Sequence, residues 1–461
     1  MAESNRFYQK LRGRAEVILV TKSTLLNKIF DFLLLKAKDL TGLTSSNKNM
    51  KEKITGVVKI KSEYFEELKK RIKDIPDFKK NLADVLAKST TELLEVVLGG
   101  VINLEASDIH IEPVKEKAKL RIRIDGVLQD ILFFEEKIYL SLLSRIKILS
   151  GLKLNIAKSP QDGRFSILTS EQIEVRTSTL PAEYGESIVL RILNPKALIE
   201  LEQLGLKKNL LEIFKKEIRK PNGMIIVTGP TGSGKTTTLY AFLKKIQRPE
   251  IKIITIEDPI EYHLKEISQS QVNVEAGYNF ANGLQSIMRQ DPDVILVGEI
   301  RDSDTAKIAL QAALTGHLVL TTLHTNDAIG TIPRLINLDA KAATVGAALN
   351  MVVAQRLVRK VCQKCVKFEK AFVPKTGEEL KVPKAQGCKF CNFTGYRGRI
   401  GIFEAFLLDQ DIQKLIVRKA PIFEIKKAAM EKGMITMYET GLRNVILGIT
   451  TLEEIKRVIG E

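Results

Sequence analysis

The chain is 461 residues long, with 44% hydrophobic and 28% charged residues, proportions of a globular protein with room for two or three domains. Its formal net charge of +17 admits nucleic acid, an anionic membrane surface or an acidic protein as partner and does not choose among them. The N-terminus lacks the apolar core and small-residue cleavage site of a secretory signal, and the longest apolar run near it, Ile29 to Leu35, is broken by Asp31, far short of the roughly 20 residues that cross a bilayer. A cytoplasmic protein with at most peripheral membrane contact is expected.

Residues 1–88 read as a basic, mainly helical region. Ser23 or Thr24 can cap a helix from Leu25 to about Leu40 that closes at Gly42, and Ser45-Ser46-Asn47-Lys48-Asn49 reads as a linker. Leu25, Leu26, Ile29, Phe30, Leu33 and Leu34 fall near helical spacing among lysines. Such a helix packs on its own domain or lies on a membrane or partner. A second charged helix is predicted over 64–73. From Ser89-Thr90-Thr91-Glu92, a capping-box pattern, a third is predicted to run to about Leu98 and stop at Gly99-Gly100.

Residues 89–205 then read as a compact α+β module with its linker. Leu120-Arg121-Ile122-Arg123-Ile124 alternates apolar and basic residues and ends at Asp125-Gly126, the pattern of a strand entering a tight turn. The runs 162–167, 173–179 and 187–193 repeat that style, with arginines on the strands. A helical segment from Lys196 to Leu204 is expected to lead into the remainder, 206–461. There, β-branched runs at 224–228, 253–256, 294–297 and 318–322 alternate with helical stretches, which indicates a largely parallel sheet covered by helices.

Gly229-Pro230-Thr231-Gly232-Ser233-Gly234-Lys235-Thr236 follows the first of these runs and leads through Thr237 into a helix. That strand, loop and helix context is the one in which G-x-x-x-x-G-K-[ST] means a nucleotide phosphate loop. Glycines let successive backbone N–H groups converge on phosphate oxygens, and the helix N-terminus adds partial positive charge. Lys235 is expected to reach the β- and γ-phosphates and Thr236 to offer its hydroxyl to Mg²⁺.

Three further constellations sit at strand ends. Glu257, Asp258 and Glu261 follow the run at 253–256 and can orient water or serve the outer shell of the metal; a solvated turn is the alternative. Glu299 emerges after Val294 to Val297, where a carboxylate can polarise the water that attacks the γ-phosphate. Many phosphate-loop enzymes carry an aspartate where Gly298 stands, so the second metal ligand is open. His317 and His324 bracket the strand at 318–323, and a histidine at a strand end can sense the γ-phosphate or be structural. Cys362-Gln363-Lys364-Cys365 and Cys388-Lys389-Phe390-Cys391 use every cysteine of the chain. Two C-x-x-C pairs can close one tetrahedral, structural Zn²⁺ site, placed in an element at 356–400 that precedes a helical part at 401–461. Lys360, Lys364, Lys367, Lys389, Arg397 and Arg399 surround it, but few aromatics for base stacking accompany them, so direct nucleic-acid binding is not expected.

Together the phosphate loop, the Ile256-Glu257-Asp258-Pro259 box, the segment from Arg289-Gln290-Asp291-Pro292-Asp293 to Gly298-Glu299-Ile300-Arg301-Asp302, the two-histidine box and the four cysteines resemble the secretion ATPase family of type II secretion and type IV pilus assembly. Ala106-Ser107-Asp108-Ile109-His110 and Arg121-Ile122-Arg123-Ile124-Asp125-Gly126 extend the resemblance, which covers about residues 90 to 461. It implies an α/β fold with a RecA-like phosphate-loop ATPase domain, preceded by a smaller PAS-like α+β lobe. It also implies a homo-hexameric ring that hydrolyses ATP at the cytoplasmic face of the inner membrane and drives a platform protein there. In that family, arginines of the first lobe approach the nucleotide. By motif position these are Arg176 and Arg191, with Arg164 behind them. The four-cysteine element is similar to that of assembly motors more than of retraction motors, whereas the first 90 residues do not resemble the usual docking module. The competing readings are a DNA-uptake or DNA-translocating ATPase, suggested by the charge, and a nucleotide-binding scaffold with little turnover, suggested by Gly298.

Overall fold

A computed structural model describes residues 56–86, 88–195, 198–373 and 377–460; the helix predicted over 25–40 and the linker after it lie outside the described residues. The first lobe runs through β1 (Val57–Lys59), α1 (Ser62–Arg71), α2 (Ile75–Ala83), α3 (Thr90–Asn103), β2 (Asp108–Val114), β3 (Lys117–Ile124), β4 (Val127–Glu135), α4 (Glu136–Ser150), β5 (Gln161–Leu168), β6 (Gln172–Ala182) and β7 (Gly185–Leu193). Alternation sets the faces of the strands: Ile109 and Ile111, Leu120 and Ile122, Val175, Ile188 and Leu190 are all buried, with polar and charged neighbours between them. The strands form one sheet in the order β1-β5-β6-β7-β2-β3-β4, antiparallel throughout except for the parallel β1–β5 pair. Asp125 and Gly126, with φ of +48° and +83°, make the predicted two-residue turn between β3 and β4.

Two expectations about the first lobe need correcting. The helix predicted to stop at Gly99-Gly100 continues to Asn103. A Cβ on Gly100 would lie 2.3 Å from the Phe78 ring and one on Gly99 2.7 Å from Leu68 Cδ1, so these glycines let α1 and α2 approach α3 and do not end it. The lobe also begins well before residue 88. Val58, Phe65, Leu68, Phe78 and Leu82 are buried in the same core as Leu98, Ile109, Tyr139, Phe165 and Leu190, and the compact unit starts at Thr55. Lysine-rich helices disguised a segment whose apolar side is covered.

A 3₁₀ turn at Leu201–Leu204, shorter than the helical segment predicted there, leads to α5 (Lys208–Glu217). The second lobe then proceeds through β8 (Gly223–Thr228), α6 (Lys235–Ile246), β9 (Ile253–Glu257), β10 (Ser268–Gln271), α7 (Phe280–Met288), β11 (Val294–Val297), α8 (Ser303–Leu314), β12 (Leu318–Leu323), α9 (Thr331–Asn337), α10 (Ala342–Ala348), β13 (Leu349–Val361), β14 (Lys367–Val373), β15 (Glu378–Lys384) and β16 (Tyr396–Leu407). Helices α11 (Gln410–Val417), α12 (Ile422–Glu431), α13 (Met437–Ile446) and α14 (Leu452–Ile459) complete it.

The sheet order is β10-β9-β11-β12-β8-β13-β16, parallel from β10 to β13 and closed by antiparallel β16. Every residue of β8, β9, β11 and β12 is buried, because helices cover both faces and leave no polar side to alternate with. Strands β13 and β16 belong to this sheet, so the cysteine-bearing insertion is confined to 362–395, with β14 and β15 as its hairpin. No described helix is long and apolar enough to cross a membrane.

Candidate nucleotide site and four-cysteine cluster

The carboxyl ends of β8, β9, β11 and β12 lie side by side, the edge at which open α/β sheets gather ligands. Between β8 and α6, Gly229, Gly232 and Gly234 have φ of +151°, +79° and +88°, conformations that favour glycine. The loop is moulded on β13. A Cβ on Gly229 would sit 2.6 Å from the Gln355 carbonyl, and one on Gly234 2.9 Å from Gln355 Nε2. Buried Gln355 in turn accepts a hydrogen bond from Thr238 Oγ1 at 2.7 Å. Lys235 Nζ donates to the carbonyls of Gly229 at 2.8 Å and Pro230 at 3.1 Å. Burial pulls this ammonium below the ordinary lysine value against the opposing field of Glu299, a setting that gains from a bound polyanion. Ser233 Oγ is buried with no hydrogen-bond partner, and Thr236 and Thr237 stand half-exposed in the first turn of α6. An orphaned hydroxyl beside a curled run of N–H groups fits phosphate oxygens.

Two residues beyond β11, Glu299 faces this loop. Its Oε1 pairs with Arg301 at 2.5 Å and its Oε2 lies 3.5 Å from His324 Nε2. Gly298 fixes where Glu299 starts: its N–H donates to the Ile256 carbonyl at 2.8 Å and its carbonyl accepts from Thr322 Oγ1 at 2.8 Å. His324 is held near the phosphate loop through Thr228, whose Oγ1 donates to the Leu323 carbonyl at 3.0 Å and accepts from Thr325 N–H at 2.9 Å. Burial, and then Lys235, hold the His324 imidazole below its ordinary value against the opposing field of Glu299, and its ring nitrogen can hydrogen-bond an anion or a water. Lys235, Glu299 and His324 thus converge.

Other predicted residues are placed differently. Glu257 ends β9, but its buried carboxylate accepts from Tyr240 Oη, from Thr255 Oγ1 at 2.6 Å and from Gln269 Nε2 at 3.1 Å. It is a strut within the lobe and is not brought into the group around Glu299. Burial raises it above the usual carboxylate range, and Tyr240 is raised with it. His317 stands at the amino end of β12, with Nδ1 3.0 Å from the Ala312 carbonyl; the strand's direction removes it from the nucleotide edge.

Arg164 lies opposite Arg176, Arg176 opposite Arg191, and Arg191 opposite Asp108, a cross-strand row over β5, β6, β7 and β2. Arg176 reaches the second lobe, donating to the Ile260 carbonyl in the loop after β9. Burial lowers its pKa, with Glu261 opposing. Arg191 pairs within its own lobe, its Nε 2.9 Å from Asp108 Oδ1. Sequence reasoning missed Gln355 and Arg356. The Arg356 Nη1 lies 3.1 Å from where a Gly229 Cβ would be, and its Nη2 donates to the Asn326 carbonyl at 2.8 Å. Neither belongs to a contiguous motif, so only the β8–β13 pairing brings them to the loop.

The four cysteine sulfurs all lie within 4.8 Å of one another. Cys362 and Cys388 are 3.9 Å apart, Cys365 and Cys391 3.8 Å, and Cys388 and Cys391 3.8 Å. A tetrahedral zinc with Zn–S near 2.3 Å spaces its sulfurs by about 3.8 Å, so the cluster is compatible with that ion. Lys364 Nζ and Arg397 Cζ sit 4.0 and 4.1 Å from the Phe390 ring centroid, which occupies that aromatic with side chains of its own element.

Residues 86–457 match the family described as type II/IV secretion system protein. The chain is 42% identical over 394 residues to the type II secretion system protein HxcR of Pseudomonas aeruginosa, covering 85% of this chain and 82% of that protein. It is 43% identical over 380 residues to the type IV pilus assembly ATPase TfpB of Acinetobacter baylyi, covering 80% and 65%. The crystal structure of the pilus retraction motor PilT with bound ADP aligns with a TM-score of 0.55 at 28% identity, covering 78% of this chain and 95% of that one. The chain is an ATPase of the type II/IV secretion system protein family.

Proposed function

We propose that this ATPase is a motor for type II secretion or type IV pilus assembly, working as a hexameric ring at the cytoplasmic face of the inner membrane and pulling on a platform protein there. What supports the reading is the convergence of Lys235, Glu299 and His324 on a curled, glycine-built loop at the carboxyl edge of a parallel sheet. The loop from Gly229 to Gly234 holds the triphosphate through main-chain N–H groups, with Ser233 Oγ and the Thr237 hydroxyl as further donors. Lys235 leaves the Gly229 and Pro230 carbonyls for the β- and γ-phosphates. The Thr236 hydroxyl would hold Mg²⁺, which would supply charge neutralisation to the phosphates.

Glu299 orients the attacking water and takes its proton while the bond from the γ-phosphorus to the bridging oxygen breaks. His324 hydrogen-bonds the γ-phosphate side, and Arg301 keeps Glu299 aimed. Glu257 supports the β9 loop from behind. Arg176 and Arg191, on the first lobe, approach the phosphates on closure; Arg176 waits on the Ile260 carbonyl, and Arg191 waits on Asp108. Loss of the γ-phosphate removes what those guanidinium groups hold, and the lobes part.

The first lobe is read as PAS-like and the second as RecA-like. Cys362, Cys365, Cys388 and Cys391 hold one structural zinc, which ties the two ends of the insertion and supplies no chemistry to hydrolysis. The purified chain should release phosphate from ATP with Mg²⁺ and assemble as a ring of six, and Lys235→Ala should lose both nucleotide binding and release. Nucleotide-independent behaviour of that variant would overturn the assignment.

A further inference from the structure

The C-terminal end of the four-cysteine element and the strand that leaves it both meet the first lobe. Asn392, immediately after Cys391, has a left-handed φ of +52°, and its Oδ1 accepts from the Ile75 N–H at 2.8 Å. Ile75 is the first residue of α2, and Asp74, the cap of that helix, takes the N–H of Asp77. Asn392 therefore satisfies an amide that α2 cannot satisfy itself. Just past the element, Gly398 in β16 donates its N–H to Asp125 Oδ2 at 2.8 Å, in the turn between β3 and β4. An acceptor faces the positive end of a helix, and a donor flanked by Arg397 and Arg399 faces a carboxylate.

The cysteines shape both contacts. Cys388 N–H donates to Cys391 Sγ at 3.2 Å, Asn392 N–H to the Lys389 carbonyl at 3.2 Å and Phe393 N–H to the Cys388 carbonyl at 2.9 Å, so the sulfur cluster sets the left-handed turn that aims Asn392. Cys362 N–H donates to the Gly395 carbonyl at 2.9 Å, and Arg397 Nη1 to the Phe390 carbonyl at 2.6 Å, so the exit strand carrying Gly398 is tied to the same knot. We propose that the four-cysteine element is the docking surface for the first lobe, and that zinc, by fixing Asn392 and Gly398, sets the anchor from which that lobe swings during turnover. The proposal rests on the zinc and motor readings above.

Hydrogen exchange on the full chain tests it, with metal analysis of the same samples. Asn392→Gly with Asp125→Gly keeps the left-handed backbone at both positions and removes both acceptors. This double variant should retain one zinc per chain and its protection over 362–395, while the Ile75 and Gly398 amides exchange about tenfold faster. Asn392→Asp and Asp125→Asn, which keep an acceptor, should exchange like the parent. Chelation should accelerate exchange over 362–395 and, in the other lobe, at 75–83. Unchanged exchange at Ile75 and Gly398 in the double variant would overturn the docking, and chelation that deprotects 362–395 but not 75–83 would overturn the link to zinc. If the purified protein holds no zinc, the metal reading fails, and the double variant alone decides the docking.

Discussion

The ends of β9 and β11 are neighbours in one sheet, and each delivers a glutamate, yet the two carboxylates live in different chemistry. Glu299 keeps its oxygens beside an exposed arginine and a histidine, facing the phosphate loop. Glu257 spends its oxygens on a tyrosine, a threonine and a glutamine inside the fold. The lesson is that a strand end supplies position, while the surrounding donors decide whether a carboxylate remains free to act. A base must be able to exchange its partners for water and substrate; a strut must not.

The largest effect belongs to the β11 end: Glu299→Gln should lower turnover by about a thousandfold, as expected for removal of a general base. Arg176→Gln, which deletes the guanidinium that crosses between lobes, should cost about a hundredfold in turnover while leaving ATP binding to the isolated second-lobe contacts within a few-fold, measured by equilibrium titration. Glu257→Gln should leave turnover within a few-fold and act on stability instead. Burial raises this carboxyl above its ordinary value of 4.5, so the folded chain holds a proton that the unfolded chain has released between the two values. The stability that proton confers is complete below 4.5 and is lost as pH rises through the folded value. Denaturation across that window should show a flatter slope for Glu257→Gln than for the parent, and an identical slope would contradict the strut.

The smallest effect is expected at His317→Asn, a change at the wrong end of β12 for chemistry. Its turnover should match the parent within about twofold.

How much of this was legible follows from how local each signal is. The phosphate loop, the four buried strands and the two C-x-x-C pairs are contiguous patterns, and the structure keeps them where the sequence put them. Glu257 and Glu299 look equivalent in sequence because each simply follows a buried run; Tyr240 and Gln269, which separate them, come from α6 and β10. His317 and His324 also look alike until the direction of β12 is known. Gly99-Gly100 has the form of a helix stop, and only Leu68 and Phe78 packed against it reveal close approach. Gln355 was invisible because a strand more than a hundred residues away supplies it. The same holds for the Asn392–Ile75 contact, which pairs a turn of the four-cysteine element with a helix at the other end of the described chain.

The most direct test puts Glu299→Gln and Glu257→Gln through the same two assays, equilibrium binding of ATP with Mg²⁺ and release of phosphate. Both variants should bind nucleotide as the parent does, and Glu299→Gln alone should stop releasing phosphate. Full turnover by Glu299→Gln, or its loss in Glu257→Gln with binding intact, would contradict these roles.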